Sequence, residues 1–238
     1  MNRRMDQDYL TYQDEGFASK AQQEFWNKSI PVLIIGFAIW GVTSFIFSEY
    51  GLTMDIGVSI LLMIIYIPVW IATILLAHYR KNAYSMISFF IATFITGLVT
   101  APLFGYLIYF VGVTETAKLF LISTTISASS LTGCYVIGWI ARKKNYGTKP
   151  WGLFLFGALI LFLILEPIVF IVVGSFNLFY FIFSLLMIGW MYACGIWYGL
   201  LLEDEMKADA WMYFVLGYFL TLINIIVRLM RIFAISNR

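Results

Sequence analysis

An apolar stretch near the end of the chain, Trp211–Phe233, carries one stripe of small, polar and cationic residues. At about 100° per residue, five of them fall within roughly 80° of a helical wheel. They are Gly217, Thr221, Asn224, Arg228 and Arg231. Lipid cannot solvate an amide or a guanidinium, so this stripe must face protein or water. The stripe could line an ion path or a gate, and we place its helix at the centre of a bundle.

One acidic residue, Glu166, lies deep inside another apolar stretch. It would lie about 24 Å along a helix from Pro150, and Arg228 about 26 Å along the last helix, at about 1.5 Å per residue. An unpaired charge in hydrocarbon costs at least about 2.5–3.5 kcal/mol. One interpretation is therefore an ion pair that closes the outer half of the bundle. The other is that each side chain reaches the outer interface separately.

Four carboxylates lie around the turn before the last helix. They are Glu203, Asp204, Glu205 and Asp209. The ordinary interpretation is a solvated, charged turn on the cytosolic side. The alternative is an acidic mouth that attracts cations, since clustered carboxylates concentrate counterions.

Signatures of catalysis and of metal binding are absent from the sequence. The only histidine, His78, lies beside Arg80 at a predicted membrane boundary, and no nucleophile elbow, zinc-protease motif or phosphate-binding loop is present. Cys134 and Cys194 are far apart, in a spacing typical of neither a disulfide framework nor a zinc site, and we expect two small buried residues. We therefore predict no enzyme activity, no cofactor, no metal site and no nucleic-acid partner.

The composition indicates which elements must position these residues. Of the 238 residues, 62% are hydrophobic and only 12% are charged, whereas soluble domains are about half apolar and a quarter charged. This is the composition of an integral membrane protein, whose first partner is the lipid bilayer. A spanning helix needs about 20 apolar residues, and the chain supplies seven such segments. They are 30–47, 56–79, 83–111, 117–141, 150–173, 178–202 and 210–235.

The predicted architecture is an all-α bundle of seven transmembrane helices over residues 30–238, with Pro31 opening the first. Residues 1–29 form an amino-terminal tail. Most lysines and arginines fall on one side of the membrane if that tail is cytosolic, which predicts a multi-pass protein of the cell membrane with this orientation. The arginines of the last helix are the exception.

Two spans have faces rich in small or hydroxyl-bearing residues. The third span carries Thr93, Gly97, Ala101 and Gly105 at four-residue spacing, a pattern that lets helix backbones approach closely. Hydroxyl-bearing and small residues crowd segment 123–134 of the fourth span. These hydroxyls could bond to their own helix in a tightly packed region, or they could form one wall of a wet cavity.

Three segments resemble the transmembrane Bax-inhibitor-motif family: FFIATFITGLVTAPLFGYLIY, ARKKNYGTKPWGLFLFGALI and YFLTLINIIVRLMRIF. The likeness extends over roughly residues 56–233. It implies six helices around a central seventh and a calcium-leak activity that responds to pH. It also implies roles in stress survival and, in some bacterial members, association with a membrane protease.

The chain departs from this family at its proton-sensing pair of carboxylates. The first position falls on 197–199, where no acid is present, and the second falls on Thr221. Arg80 matches the basic partner of that pair, but the acids that it would accompany are missing. Since two carboxylates that share a proton give such a site its acid–base sensitivity, that mechanism does not carry over.

Two functions follow as hypotheses. The first is a cation leak channel, for calcium among other ions, in which Glu166 or the acidic turn selects cations. The second is a non-conducting regulator that binds a membrane protease or another membrane partner.

Overall fold

The computed structural model describes residues 3–53, 56–144 and 178–236, together with Gly152 and Leu155. Every secondary-structure element in these residues is an α-helix. The helices are α1 (Arg3–Ile46), α2 (Ser48–Thr53), α3 (Ile56–His78), α4 (Asn82–Val111), α5 (Val113–Lys143), α6 (Leu178–Lys207) and α7 (Trp211–Ser236). Most of the predicted fifth span, 150–173, and its Glu166 lie outside the described residues.

Five stretches of the described helices are long and apolar enough to cross a membrane. They are Gln22–Ile46, Asn82–Val111, Val113–Lys143, Phe181–Met206 and Trp211–Phe233. A shorter apolar stretch, Ile64–His78, lies in α3. The all-α class predicted from the sequence is confirmed, and the helix lengths are those of a multi-pass membrane protein.

The first helix begins well before the predicted start of the first span. α1 runs without a break through Pro31, although a proline inside a helix removes a hydrogen bond and costs about 3 kcal/mol. The part of α1 before this proline packs against a distant segment of the chain. Phe25 is 3% exposed, and Trp26 packs edge-on against Phe214 of α7 with ring centroids 5.3 Å apart.

The sixth helix is longer than predicted at its carboxyl end. α6 continues to Lys207, so Glu203, Asp204 and Glu205 belong to its last turns, and only Asp209 lies in the connection. Acidic residues at a helix carboxyl terminus are disfavoured by the helix dipole. Here α5 supplies partners for two of them, as described below.

The last helix is the most buried of the described spans. Over 18 residues of the apolar stretch of α7, 67% are buried, against at most 39% in any other described span. It contacts α1, α3, α4, α5 and α6. Its most deeply buried residues, at 0% exposure, are Met212, Val215, Phe219, Ile225, Ile226 and Met230.

The small-residue face of α4, which is the predicted third span, brings neighbouring helices close, as predicted. A Cβ atom added to Gly97 would lie only 2.6 Å from the Cβ of Thr43 in α1. A Cβ on Gly105 would overlap the carbonyl oxygen of Ser48 in α2. The short helix α2 was not predicted, and it lies against α4 where Gly51 approaches the backbone of Pro102.

Helices α5 and α6 approach one another just as closely. A Cβ on Gly138 would overlap the carbonyl oxygen of Ile196, and a Cβ on Gly199 would overlap that of Tyr135. Cys134 and Cys194 are free and half-buried near this contact, so they are more exposed than the sequence suggested.

Candidate ion pathway along the last helix

A pocket of about 290 Å³ lies where the α3–α4 turn meets the α6–α7 turn. We call it the turn pocket. Its polar lining consists of His78, Arg80, Asp204, Glu205 and Tyr213. It thus joins two sites that the sequence suggested separately, Arg80 and part of the acidic run.

Glu205 is the exceptional residue of the turn pocket. It is 7% exposed, and neither of its carboxylate oxygens has a hydrogen-bond partner among the described residues. Buried charges in proteins are normally paired or bound to a metal. The site therefore has a carboxylate that no protein donor satisfies within the described structure.

The other three carboxylates are engaged with neighbouring helices. Glu203 accepts a hydrogen bond from Trp139 Nε1 at 3.1 Å. Asp204 forms an ion pair with Arg142 at 3.2 Å. Asp209 lies 3.8 Å from Lys28 of α1. The four acids consequently do not converge on one mouth, because three of them tie α6 and its turn to α1 and α5.

The two turns beside the pocket are held in unusual backbone conformations. Arg80 has φ 57° and Asp209 has φ 51°, a left-handed region that side chains other than glycine rarely adopt. Asn82 Nδ2 donates a hydrogen bond to the carbonyl oxygen of Asp209 at 2.9 Å and links the turns. Arg80 forms no ion pair with Asp204 or Glu205.

An aromatic layer lies above the turn pocket, on α3, α4 and α7. It consists of Trp70, Phe89 and Phe219, which are at most 5% exposed. The Phe219 ring lies 4.9 Å from that of Phe89 and 6.1 Å from that of Trp70, centroid to centroid. The layer is about 9–12 Å along these helices from the pocket, at about 1.5 Å per residue.

A second pocket, of about 280 Å³, lies farther along the same three helices. We call it the mid pocket. Its polar lining consists of Tyr66, Thr96, Thr100 and Asn224. Polar pockets therefore lie on both sides of the aromatic layer.

The threonines of the mid pocket receive hydrogen bonds from two buried indoles. Trp70 Nε1 donates to Thr96 Oγ1 at 3.1 Å, and Trp40 Nε1 of α1 donates to Thr100 Oγ1 at 3.0 Å. These threonines were not among the site residues predicted from the sequence. The tryptophans could have pointed to them, because the N–H of a buried indole usually donates to a nearby acceptor such as a threonine hydroxyl.

The polar stripe of α7 divides into residues with different surroundings. Thr221 is half-buried and donates to the Gly217 carbonyl at 2.7 Å. Asn224 is exposed, donates to the Leu220 carbonyl at 2.8 Å, and lines the mid pocket. Arg228 is 6% exposed, and Arg231 is half-buried.

The side of α7 opposite this stripe is the most buried part of the helix. Val215, Ile226 and Met230 are at 0% exposure. The helix thus packs its apolar side closely against neighbouring helices and leaves Asn224 at a pocket, since van der Waals packing holds helices together where lipid replaces water.

The hydroxyls of α5 bond mainly to their own helix, as the simpler interpretation predicted. Thr125, Ser129 and Thr132 donate to carbonyls four residues earlier. Ser123 and Ser127 are buried and have no partner among the described residues. The hydroxyls of Ser123 and Ser127 therefore remain compatible with the other interpretation, in which this side of α5 forms one wall of a wet cavity.

No group of three or more His, Cys, Asp or Glu side chains in the described part of the chain could hold a metal ion. Comparisons with protein-family models, with curated proteins and with solved structures give no match.

Proposed function

We propose that this chain is a Bax-inhibitor-like, multi-pass protein of the cell membrane that lets cations, calcium among them, leak through a normally closed path. In this proposal the seven spans predicted from the sequence form the bundle. α7 is the central helix of the bundle, and the amino terminus is cytosolic. The path follows α3, α4 and α7 from the turn pocket through the aromatic layer to the mid pocket. It requires no enzyme activity and no cofactor.

The observation that carries the proposal is the buried carboxylate of Glu205. In its ionised form, a carboxylate without a protein donor, in a pocket beside the Asp204 that pairs with Arg142, attracts a cation to the cytosolic end of the path. Few protein ligands hold the ion, as conduction requires, because an ion must leave a conducting site as well as enter it.

The aromatic layer supports a closed resting state. Hydrophobic constrictions gate channels by excluding water, and Trp70, Phe89 and Phe219 fill the space between the two polar pockets with side chains at most 5% exposed. Movement of the Phe219 ring would join the pockets.

The decisive experiment measures calcium entry into liposomes that contain the purified protein. We expect a slow flux for the wild type and a flux lower by roughly tenfold for Glu205→Gln, which equals about 1.4 kcal/mol in cation stabilisation. Glu115→Gln is the matched control. Glu115 is an exposed acid paired with Lys118 at the amino-terminal end of α5, whereas the carboxyl-terminal end of α5 lies beside the turn pocket.

Each outcome of this experiment is informative. Equal reductions in Glu205→Gln and Glu115→Gln would mean that bulk surface charge, not the turn pocket, sets the flux. Flux no greater than that of protein-free vesicles, in the wild type and also after Phe219→Ala, would overturn the channel proposal.

A non-conducting regulator is the second candidate, and the closed aromatic layer also favours it. It would bind a membrane protease or another membrane protein. Under this proposal, pull-down from native membranes retrieves a specific partner, and Glu205→Gln leaves that binding unchanged.

A further inference from the structure

A third pocket, independent of the path, opens between α1 and α5 and extends to α6 and α7. Its volume is about 480 Å³. We call it the side pocket. The residues used below are Trp26, Leu33, Thr132, Val136, Trp139 and Tyr218.

The lining of the side pocket is almost entirely apolar. Two of its hydroxyls, Thr132 Oγ1 and Tyr218 Oη, hydrogen-bond to each other at 2.9 Å and so satisfy one another. The hydroxyl of Tyr135, also in the lining, is buried without a partner among the described residues. The rest of the lining offers a ligand chiefly apolar contacts. Such a cavity between membrane helices suits a hydrocarbon chain.

The pocket extends from the end of α5 into the membrane-spanning region. Between Trp139 and Thr132 it covers roughly 10 Å of helix, at about 1.5 Å per residue. Trp139 is four residues before the end of α5 at Lys143. Tryptophan and lysine at a helix end are typical of the membrane–water interface.

A cation lies at this interfacial end. Lys143 Nζ lies 4.1 Å from the centroid of the Trp139 ring. Its neighbour Arg142 is paired with Asp204, and Glu203 accepts the Trp139 N–H. Lys143 forms no ion pair within the described part of the chain, so its charge remains available to an anionic group.

We propose that the side pocket binds a membrane phospholipid, with one acyl chain between α1 and α5 and the phosphate at Lys143. The apolar depth accommodates the part of the chain nearest the headgroup, and the exposed ammonium matches the phosphate charge. This site is separate from the turn pocket, and its occupancy does not depend on ion conduction.

A phospholipid with a photoactivatable diazirine in one acyl chain tests the proposal in phosphatidylcholine vesicles that hold the full chain. Mass spectrometry of the irradiated protein should find cross-links concentrated on side-pocket residues such as Leu33 and Val136. Cross-links spread evenly over lipid-exposed positions such as Ile64 and Ile74 would overturn the site.

Variants that fill the pocket provide the matched comparison. Leu33→Trp should reduce cross-linking at Val136 at least fivefold, whereas Ile35→Trp should leave it unchanged, because Ile35 is on the same helix, 48% exposed and outside the pocket lining. If Leu33→Trp does not fold by circular dichroism, Val136→Trp with cross-linking read at Leu33 replaces it. Unchanged cross-linking in the folded filling variant would contradict the proposal.

The role of the phosphate is tested separately. Lys143→Gln should lower cross-linking by the phospholipid probe severalfold and should not affect a diacylglycerol probe with the same photoactivatable chain. Lys118→Gln, at the other end of α5, should change neither. Equal loss with both probes, or no loss with either, would remove the phosphate from the proposal.

Discussion

Phe219 of α7 packs edge-on against Phe89 of α4, with ring centroids 4.9 Å apart and an interplanar angle of 79°. Gly36 of α1 makes room for this pair, because a Cβ there would lie 2.5 Å from the Phe89 ring. Together with Trp70 of α3, four helices thus hold the layer that separates the two polar pockets, and the layer is the natural place to test gating.

Replacing Phe219 with alanine should open the layer. We expect calcium flux in liposomes to rise at least severalfold, and the free energy of unfolding to fall by about 3–5 kcal/mol as for other buried Phe→Ala changes. Phe94→Ala is the control, since Phe94 is on α4 but 43% exposed. A rise of equal size in Phe94→Ala would indicate general leakiness of the vesicles.

Gly199→Ala should destabilise the α5–α6 contact, where the new Cβ would lie 2.9 Å from the carbonyl carbon of Tyr135. We expect a loss of about 1–3 kcal/mol, the usual cost of overpacking, measured by denaturant titration in mixed micelles. Gly133→Ala, on α5 with no atom within 4 Å of its added Cβ, should instead gain roughly 0.5–1 kcal/mol. Equal effects at both glycines would contradict the close packing.

Thr96→Val should leave the buried N–H of Trp70 without its acceptor. The expected cost is about 1–3 kcal/mol, the penalty for an unsatisfied buried donor. Thr125→Val should change stability by less than about 0.5 kcal/mol, because the exposed Thr125 bonds only to its own helix. The double variant Thr96→Val with Trp70→Phe should recover part of the loss, and no recovery would mean that the hydrogen bond is not the cause.

An ion pair between Glu166 and Arg228 stays a prediction from the sequence. If it forms, Glu166→Gln and Arg228→Met should be non-additive, with a coupling energy of at least about 0.5 kcal/mol in a double-mutant cycle. Arg231→Met combined with Glu166→Gln provides the comparison on the same helix. Strict additivity for Arg228 would leave each charge reaching the interface separately.

The sequence by itself determined the helical class and most helix limits. The apolar runs predicted α3 and α4 to within one residue of their observed bounds at each end. The small-residue repeat of α4 also predicted a close approach correctly. These features depend on residues that are close together in the sequence. The length of an apolar run and the spacing of small residues are therefore enough to predict them.

Only the tertiary structure decided which polar groups are satisfied. The run from Glu203 to Glu205 is uniform in sequence, yet Asp204 pairs with Arg142 of α5 while the Glu205 carboxylate is buried without a donor in the described structure. Likewise, α1 continues through Pro31, and the Phe25 and Trp26 that precede this proline pack against Phe214 of α7. Such outcomes depend on contacts between residues far apart in the chain, whose free energies no local pattern contains.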